Sequence, residues 1–212
     1  MNIIGGARRD ISKEQFNELL KVIKETEEEF KGIYDIYDSD SSIAARTKGV
    51  GILTHEDALI YGACGPHGRA SNVNFDVRKT MPYNSYEDFD FKVALAEDED
   101  VFSRAVVRLV EIEESFKIIK QAVKNMPDGP INLGNKIPRV PKGESLAVTE
   151  APRGEVSYFV VSNGGQTNSR VNIHVPTFKN AATVPVMLKD NTIADAGLIV
   201  ASIDPCFSCL DR

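Results

Sequence analysis

Two cysteines, Cys206 and Cys209, stand close to the end of the chain with Phe207 and Ser208 between them. Cysteines three positions apart can both face one metal ion, and softer cations such as nickel, iron and zinc prefer thiolate ligands. A bound cation also lowers the pKa of a thiol, so that the sulfur ionises. The spacing therefore predicts a metal site on Cys206 and Cys209, with a redox dithiol or two plain buried thiols as alternatives.

The only other cysteine is Cys64, which has no cysteine near it in the sequence and is interpreted as a small buried residue. A structural zinc site needs four ligands, so a zinc-binding interaction module is the weaker metal hypothesis. Three cysteines are also too few for a disulfide framework or for an iron–sulfur cluster held by this chain alone.

Composition limits the classes of function. The chain has 212 residues, a net charge of −6 and 26 % charged residues, so a nucleic-acid partner is not expected. No apolar run approaches the ~20 residues of a membrane span, and the first residues lack the pattern of a signal peptide. A cytoplasmic location is the resulting expectation.

The elements that must position the cysteines are predicted from hydrophobic periodicity. The segment 190–202 is apolar nearly all round, which predicts a buried helix that delivers the tail into the interior. Apolar residues recur at three- and four-residue steps over 99–126 and predict a long helix of a bundle. Period-two alternation predicts strands over 156–162 and 170–175, joined by a turn at Asn163.

Other segments carry weaker signals. Ser12, with Gln15 three residues later, predicts a capped helix to about residue 31. The sequence predicts a turn and short helix over 38–47, a loop over 62–72, extended irregular chain over 73–98, a Pro- and Gly-rich stretch over 130–145 and a proline-weakened helix over 178–188. His67, placed in the predicted loop, is the candidate histidine for a proton path.

The tail Asp204-Pro205-Cys206 with Cys209 and Arg212 resembles the carboxyl-terminal nickel motif of [NiFe] hydrogenase large subunits, in their membrane-bound, energy-converting branch. The quinone-site subunit of respiratory complex I, a related family, lacks the cysteine pair. Further stretches that resemble both families run collinearly along the chain: 5–10, 65–66 with 69–71, 76–79 with 82–83, 88–91, 125–127, 150–155 and 176–178.

The resemblance implies roles for individual residues. Cys206 matches the terminal nickel ligand, and Cys209 matches the thiolate that bridges nickel and iron. Arg153 matches the arginine over the open metal position, and Asp204 the carboxylate that pairs with it. Thr177 matches a hydroxyl that hydrogen-bonds a cyanide of the iron. The resemblance also implies that Pro152 and Pro176 shape this pocket.

The family's centre, Ni–Fe(CN)2CO, needs four thiolates in two Cys-x-x-Cys pairs, and the first pair is missing from residues 1–212. The chain is therefore interpreted as a single domain, the carboxyl-terminal portion of a large subunit. A split subunit with a separate chain carrying the first pair is favoured over a fragment or a degenerate relative. The ending at Arg212 matches the processed form of the energy-converting branch.

The implied fold is α+β, a mainly helical bundle with a small antiparallel sheet. The implied function is reversible H2 oxidation and proton reduction. Electrons would pass to Fe–S clusters of a small subunit, in an assembly docked on membrane-arm subunits at the inner face of the cell membrane. The alternative is an electron-transfer or structural subunit of a complex I-like assembly without nickel.

Overall fold

A computed structural model describes residues 2–3, 5–134 and 140–211 of the protein. The strands are Asn2–Ile3 (β1), Gly6–Ala7 (β2), Lys142–Ala151 (β3), Gly154–Asn163 (β4) and Asn168–His174 (β5). The helices are Lys13–Ser39 (α1), Ser41–Thr47 (α2), His55–Ile60 (α3), Gly65–Arg69 (α4), Val77–Thr80 (α5), Val101–Lys124 (α6), Pro176–Ala181 (α7), Val184–Leu188 (α8), Ala196–Ser202 (α9) and Phe207–Leu210 (α10). The predicted α+β class is confirmed.

The two long helices, α1 and α6, pack against each other. Ser12 and Gln15 form the predicted capping box at the start of α1, but the helix continues to Ser39, beyond the predicted end near residue 31. Phe30 of α1 meets Phe116 of α6 edge to face, with ring centroids 5.9 Å apart. Aromatic pairs in this geometry add stability beyond the burial of their area, so this contact anchors the two helices.

Helix α6 agrees with its prediction. The carboxylate of Asp100 caps its amino terminus by accepting from the backbone N–H of Ser103 at 2.8 Å. The helix ends at Lys124, shortly before Pro127, which cannot continue a helix. It packs against α1 both near its start, where Phe102 stacks on Tyr37, and further along at Phe116, and it also contacts α9.

The sheet has the antiparallel order β3-β4-β5. Strands β4 and β5 and the turn after Asn163 correspond to the predicted hairpin. Strand β3 was not predicted: it begins at Lys142, inside the Pro- and Gly-rich stretch 130–145, of which residues 135–139 lie outside the described part of the chain. It pairs with β4 over its whole length, from Lys142↔Asn163 to Ala151↔Gly154.

Three further predictions need correction. Part of the predicted loop 62–72 is helix α4, because Pro66 sits in its first turn, where proline is pre-organised for a helix. The predicted helix 178–188 is divided into α7 and α8, because Pro185 starts a new helix. Within 73–98, α5 and a 3-10 turn at Tyr86–Asp88 interrupt a segment that is otherwise irregular, as predicted.

The segment 190–202 is helical but not buried on all sides. It consists of a 3-10 turn at Ile193–Asp195 followed by α9. Ile193 is 95 % exposed, while Ile199 is fully buried against Leu53 and Met187. Only one side of α9 therefore joins the core. Among the described residues, no helix is long and apolar enough to cross a membrane.

We predict that Phe116→Ala lowers the free energy of unfolding by about 3 kcal/mol, because it removes a buried ring and leaves a cavity between α1 and α6. Urea denaturation followed by circular dichroism measures this. Ile112→Ala on the same helix is the control, since Ile112 is 40 % exposed and its truncation should cost much less. Equal losses for both variants would contradict the packing described here.

Candidate functional site

The site begins with a close backbone approach between the start of α4 and the turn that joins β3 to β4. A Cβ atom on Gly65 would lie 2.3 Å from the carbonyl oxygen of Arg153, and one on Gly154 would lie 2.7 Å from the backbone nitrogen of Gly65. Only glycine allows backbones to come this close. The contact fixes the hairpin turn, and with it Pro152 and Arg153, against the Cys64–Gly65 segment.

Arg153 joins this turn to the chain just before the cysteine pair. Its Nε donates to the carbonyl oxygen of Asp204 at 2.6 Å, and its Nη2 donates to the Asp204 carboxylate at 3.1 Å. Asp204 has a positive φ of 54°, a conformation in which aspartate is less strained than most residues. Both side chains are partly exposed, so the ion pair adds little to the stability of the fold. Its main effect is to orient Arg153 relative to Asp204.

Cys206 and Cys209 lie at the two ends of one helical turn. Cys206 is the amino-terminal cap of α10, and its carbonyl oxygen accepts from the backbone N–H of Cys209 at 2.9 Å. The N–H of Cys206 donates to Thr177 Oγ1 at 3.3 Å, and its sulfur lies 3.1 Å from Ser208 Oγ. Both cysteines are half-buried.

The three cysteines differ in acidity. Hydrogen bonds from Ser208 and Cys209, with a smaller effect of the Arg153 charge, lower the pKa of Cys206 to about 7. Burial raises the pKa of Cys64 to about 11. Cys64 is buried, as predicted, and its thiol stays neutral at physiological pH. Cys206 instead supplies a thiolate readily.

A buried polar layer lies behind the site. The Asn180 side chain accepts from the N–H of Cys64 at 3.0 Å and donates to its carbonyl oxygen at 3.2 Å, which ties α7 to the glycine contact. Thr177 and Asn180, both on α7, are each 1 % exposed. Pro176 begins this helix, so the position of the Thr177 hydroxyl follows from the helix start that the proline sets.

His67 lies in this layer, on helix α4 and not in a loop. Its Nε2 is 2.9 Å from Thr183 Oγ1, whose hydroxyl donates to the carbonyl oxygen of Asn180. The Nε2 atom must therefore carry the hydrogen, and Nδ1 is buried with no partner among the described residues. Burial, together with the charges of Arg104 and Arg108, lowers the pKa of His67 well below its usual range, so the ring is neutral.

A buried charge cluster, defined here as Arg69, Asp76, Arg78, Glu111 and Glu150, lies next to the site. Arg69 donates to Glu111 at 2.7 Å and to Glu150 at 2.8 Å, and Arg78 donates to Asp76 at 2.6 Å. Sequence reasoning assigned this cluster no role. Four of its members fall in the stretches that carry the family resemblance. That resemblance is the sequence signal that could have identified the cluster.

The charge cluster and the site share one cleft of about 400 Å³. Glu150 of the cluster and Pro152 and Asp204 of the site all line it. Burial raises the pKa of Glu150, although the neighbouring Arg69 acts in the opposite direction. Because Glu150 stands on β3 immediately before the turn, the ion pairs of the cluster also hold the strand that carries Arg153.

Among residues 2–3, 5–134 and 140–211, no group of three or more histidine, cysteine or acidic side chains is arranged to hold a metal ion. Within this part of the chain, the candidate ligands are thus the two thiols of Cys206 and Cys209. The site residues predicted from the sequence lie on three segments that the contacts above connect: the hairpin turn, α7 and the tail. They are Pro152, Arg153, Pro176, Thr177, Asp204, Cys206 and Cys209.

Comparison with known proteins gives consistent matches. The family model described as "Respiratory-chain NADH dehydrogenase, 49 Kd subunit" matches residues 1–138 and 132–212. The carbon monoxide-induced hydrogenase of Rhodospirillum rubrum is 41 % identical over 210 residues, which cover 99 % of this chain and 58 % of that protein.

Two subunits of NADH-quinone oxidoreductases are also similar. The one from Clostridium beijerinckii is 39 % identical over 212 residues, 99 % of this chain and 57 % of the relative. The one from Thermus thermophilus is 35 % identical over 241 residues, again 99 % of this chain and 58 % of the relative. The chain therefore spans less than three fifths of the length of these curated relatives.

We predict that Gly65→Ala destabilises the protein more than Gly49→Ala. Both glycines have a φ near +70°, so both substitutions carry a backbone cost of about 1–2 kcal/mol. A Cβ on Gly49 meets no atom within 4 Å, whereas one on Gly65 collides with the Arg153 carbonyl. Thermal unfolding measures the difference, and equal losses would show that the close approach does not exist in solution.

We also predict that metal-free protein is alkylated selectively at Cys206 relative to Cys64. Its pKa near 7 means that the thiolate fraction, and with it the iodoacetamide rate, rises through pH 7 and levels off above about pH 8. Cys64, with a pKa near 11, reacts slowly over the same range.

Mass spectrometry of peptides after timed alkylation gives both rates. Ser208→Ala should move the Cys206 profile to higher pH, because it removes the largest stabilising hydrogen bond of the thiolate. A Cys206 profile centred at or above the ordinary thiol pKa would contradict this prediction.

Proposed function

The chain belongs to the family of the 49 kDa subunit of respiratory-chain NADH dehydrogenase, and within this oxidoreductase family we propose that it is the carboxyl-terminal part of a [NiFe] hydrogenase catalytic subunit. The reaction is reversible H2 oxidation and proton reduction. The observation that carries the proposal is the tail: two half-buried thiols, Cys206 and Cys209, held next to the Arg153–Asp204 pair and the buried hydroxyl of Thr177.

The donor set fits one half of a nickel–iron centre. Such a centre takes four thiolates, and Cys206 and Cys209 supply two, with Cys206 already close to ionised at neutral pH. The other two thiolates come from a chain or segment that carries a first Cys-x-x-Cys pair. Because the chain spans 58 % of its hydrogenase relative, such a contribution from outside these residues is consistent with the lengths.

A Ni–Fe(CN)2CO centre would be held by Cys206 and Cys209 and would supply a Lewis-acidic metal for the splitting of H2. The released proton would be accepted by a base of the chain, either a cysteine thiolate or Arg153. Asp204 holds the guanidinium in one orientation through two hydrogen bonds, so Asp204 is a positioning residue.

Thr177 has a suitable hydrogen-bonding state for its proposed role. Its oxygen accepts from the N–H of Cys206, which leaves its own hydroxyl hydrogen available for donation. With the centre bound, that hydrogen would be donated to a cyanide ligand of the iron. Pro152 and Pro176 set the starts of the segments that carry Arg153 and Thr177, and burial of Thr177 at 1 % exposure keeps this side of the site dry.

The proposal includes an assembly. Electrons leave through Fe–S clusters of a small subunit, and the pair docks on membrane-arm subunits as in a complex I-like machine. The protein is then peripheral at the inner, cytoplasmic face of the cell membrane.

A second function is favoured by a different observation. Several relatives are named as NADH-quinone oxidoreductase subunits, with identities of 35–39 % that approach the 41 % of the hydrogenase. The alternative is therefore an electron-transfer or structural subunit of a complex I-like assembly without nickel. In that case, Arg153 and Asp204 have a structural role and the two thiols bind no metal.

We predict that the complex purified from its native cells contains about one nickel per copy of this chain. It should also show infrared bands of iron-bound CO and cyanide. Cys206→Ser and Cys209→Ser should each abolish the bound nickel, because each removes a thiolate that no other described side chain replaces. Elemental analysis and infrared spectroscopy measure these outcomes.

Cys64→Ser is the matched control for the cysteine variants. Cys64 is buried and neutral, and its substitution should leave the nickel content unchanged. A complex without nickel and without the bands would establish the complex I-like alternative, and zinc without the bands would indicate the interaction module.

A further inference from the structure

A closed ring of buried hydrogen bonds joins α4 to α7 and to the start of α8. Asn180 of α7 accepts from the backbone N–H of Cys64 at 3.0 Å and donates to its carbonyl oxygen at 3.2 Å. Thr183 donates to the carbonyl oxygen of Asn180 at 2.7 Å, and its Oγ1 accepts from Nε2 of His67 at 2.9 Å. Helix α4 closes the ring, because Cys64 is the amino-terminal cap of the helix that carries His67.

Burial makes this ring specific about the position of α7. His67, Asn180, Thr183 and Cys64 are all buried, so water cannot replace a partner that one of them loses. A buried polar group without a partner is costly, and the members of a fully paired network restrain one another. A displacement of α7 relative to α4 would therefore break several of these bonds together.

The two sides of the ring lead to two sides of the candidate site. Thr177 lies three positions before Asn180 on α7, and residues at this spacing share one side of a helix. The Thr177 hydroxyl accepts from the backbone N–H of Cys206. On the α4 side, the residue next to the ring is Gly65, which meets the backbone of Arg153. The ring therefore connects the Thr177 hydroxyl to the Arg153 turn.

Another link between α7 and the hairpin is weaker. Lys179 of α7 donates to the carboxylate of Glu155 on β4 at 2.6 Å, and both side chains are partly exposed. Ion pairs that are open to solvent contribute little and are screened by salt. The position of α7 relative to the hairpin turn then depends mainly on the buried amide of Asn180.

We propose that the ring is a positioning device for the metal pocket and that Asn180 is the residue on which it depends. Asn180 acts through Thr177, because it holds the helix from which the Thr177 hydroxyl would reach a cyanide of the iron. The inference rests on the proposed function, since it concerns a ligand of the metal centre. Groups that orient the surroundings of a metal also tune its properties, so the ring contributes to the reaction without touching the reacting atoms.

The test uses the complex purified from native cells, with Asn180→Ala introduced into this chain. The substitution removes both bonds to Cys64, so α7 shifts and the hydrogen bond from Thr177 to the cyanide weakens. Infrared spectroscopy should show that a cyanide band moves more than the CO band, because the Thr177 hydroxyl is assigned to a cyanide. The nickel content should stay unchanged, since the thiols of Cys206 and Cys209 remain.

A second measurement on the same complex does not depend on the metal. The backbone N–H of Cys206 donates to Thr177, so a displaced Thr177 leaves this N–H more open to exchange with solvent. Hydrogen–deuterium exchange is followed by mass spectrometry at single-residue resolution. Exchange at Cys206 should be about fivefold faster or more in Asn180→Ala, the factor expected for the loss of one ordinary hydrogen bond.

Two further variants test the chemistry of the ring. Asn180→Asp keeps the shape of the side chain, and burial favours a protonated carboxyl, which accepts from and donates to Cys64 as the amide does. It should therefore change both measurements less than Asn180→Ala. Thr183→Val is isosteric and opens the ring at a different bond, so it should move the same cyanide band. It also provides the test if Asn180→Ala does not fold.

Asn132→Ala is the matched control. The Asn132 side chain also donates to a backbone carbonyl oxygen, that of Ala7 at 2.9 Å, and accepts from a backbone N–H, that of Gly134 at 2.8 Å. It lies beside β2 and outside the ring. Its substitution should leave the infrared bands and the exchange rate at Cys206 unchanged.

The inference is overturned if folded Asn180→Ala and Thr183→Val complexes match the unmodified complex in both measurements, or if Asn132→Ala changes them as much. The two measurements also separate this inference from the proposed function. A native complex without nickel and without the bands would contradict the hydrogenase assignment. Faster exchange at Cys206 in Asn180→Ala would still support the ring as the device that positions Thr177, and unchanged exchange would remove that assignment too.

Discussion

The close approach of Gly65 and Gly154 is the constraint on which the arrangement of the site depends. A side chain at either position would collide with the other backbone, so the two glycines are what allow the Pro152–Arg153 turn to lie against the start of α4. From this fixed turn Arg153 reaches Asp204, and Asn180 secures the other side of the contact through Cys64. Arg153 would not meet the tail in this way if either glycine carried a side chain.

The buried charge cluster also restrains the turn. Glu150 lies on β3 just before the turn, and the ion pair between Glu150 and Arg69 holds this end of the strand in place. Buried ion pairs of this kind are poor sources of net stability, but they define one arrangement because any displacement leaves a charge unpaired. Packing and electrostatics therefore act on the same turn, and the tail is positioned by both.

The helices and strands that could be predicted from the sequence are those determined by residues close to one another in the chain. Helix α6 was predicted almost to its ends because apolar periodicity and the prolines after it act within the same segment. Strand β3 was missed because most of its residues are exposed, and pairing with β4 across the sheet, not burial of an alternating face, makes it a strand. Helix α4 was missed because glycine and proline suggest a loop, although proline is favourable in a first helical turn.

The same distinction applies to the site. Cys206 and Cys209 are close in sequence and could be identified by spacing, whereas Arg153 and Asp204 were paired through resemblance, because no local pattern connects residues 51 positions apart. The charge cluster went unassigned for the same reason, since Arg69 finds Glu111 and Glu150 at separations of 42 and 81 residues.

Arg104 places a positive charge in the interior of a protein whose net charge is negative. Its guanidinium is completely buried and binds the neutral oxygens of Ser202, Glu99 and Gly51, while the chain as a whole has a net charge of −6. Burial lowers the pKa of His67, and the charges of Arg104 and Arg108 lower it further. A buried arginine that binds only neutral oxygens therefore keeps a neighbouring imidazole from becoming a second buried cation.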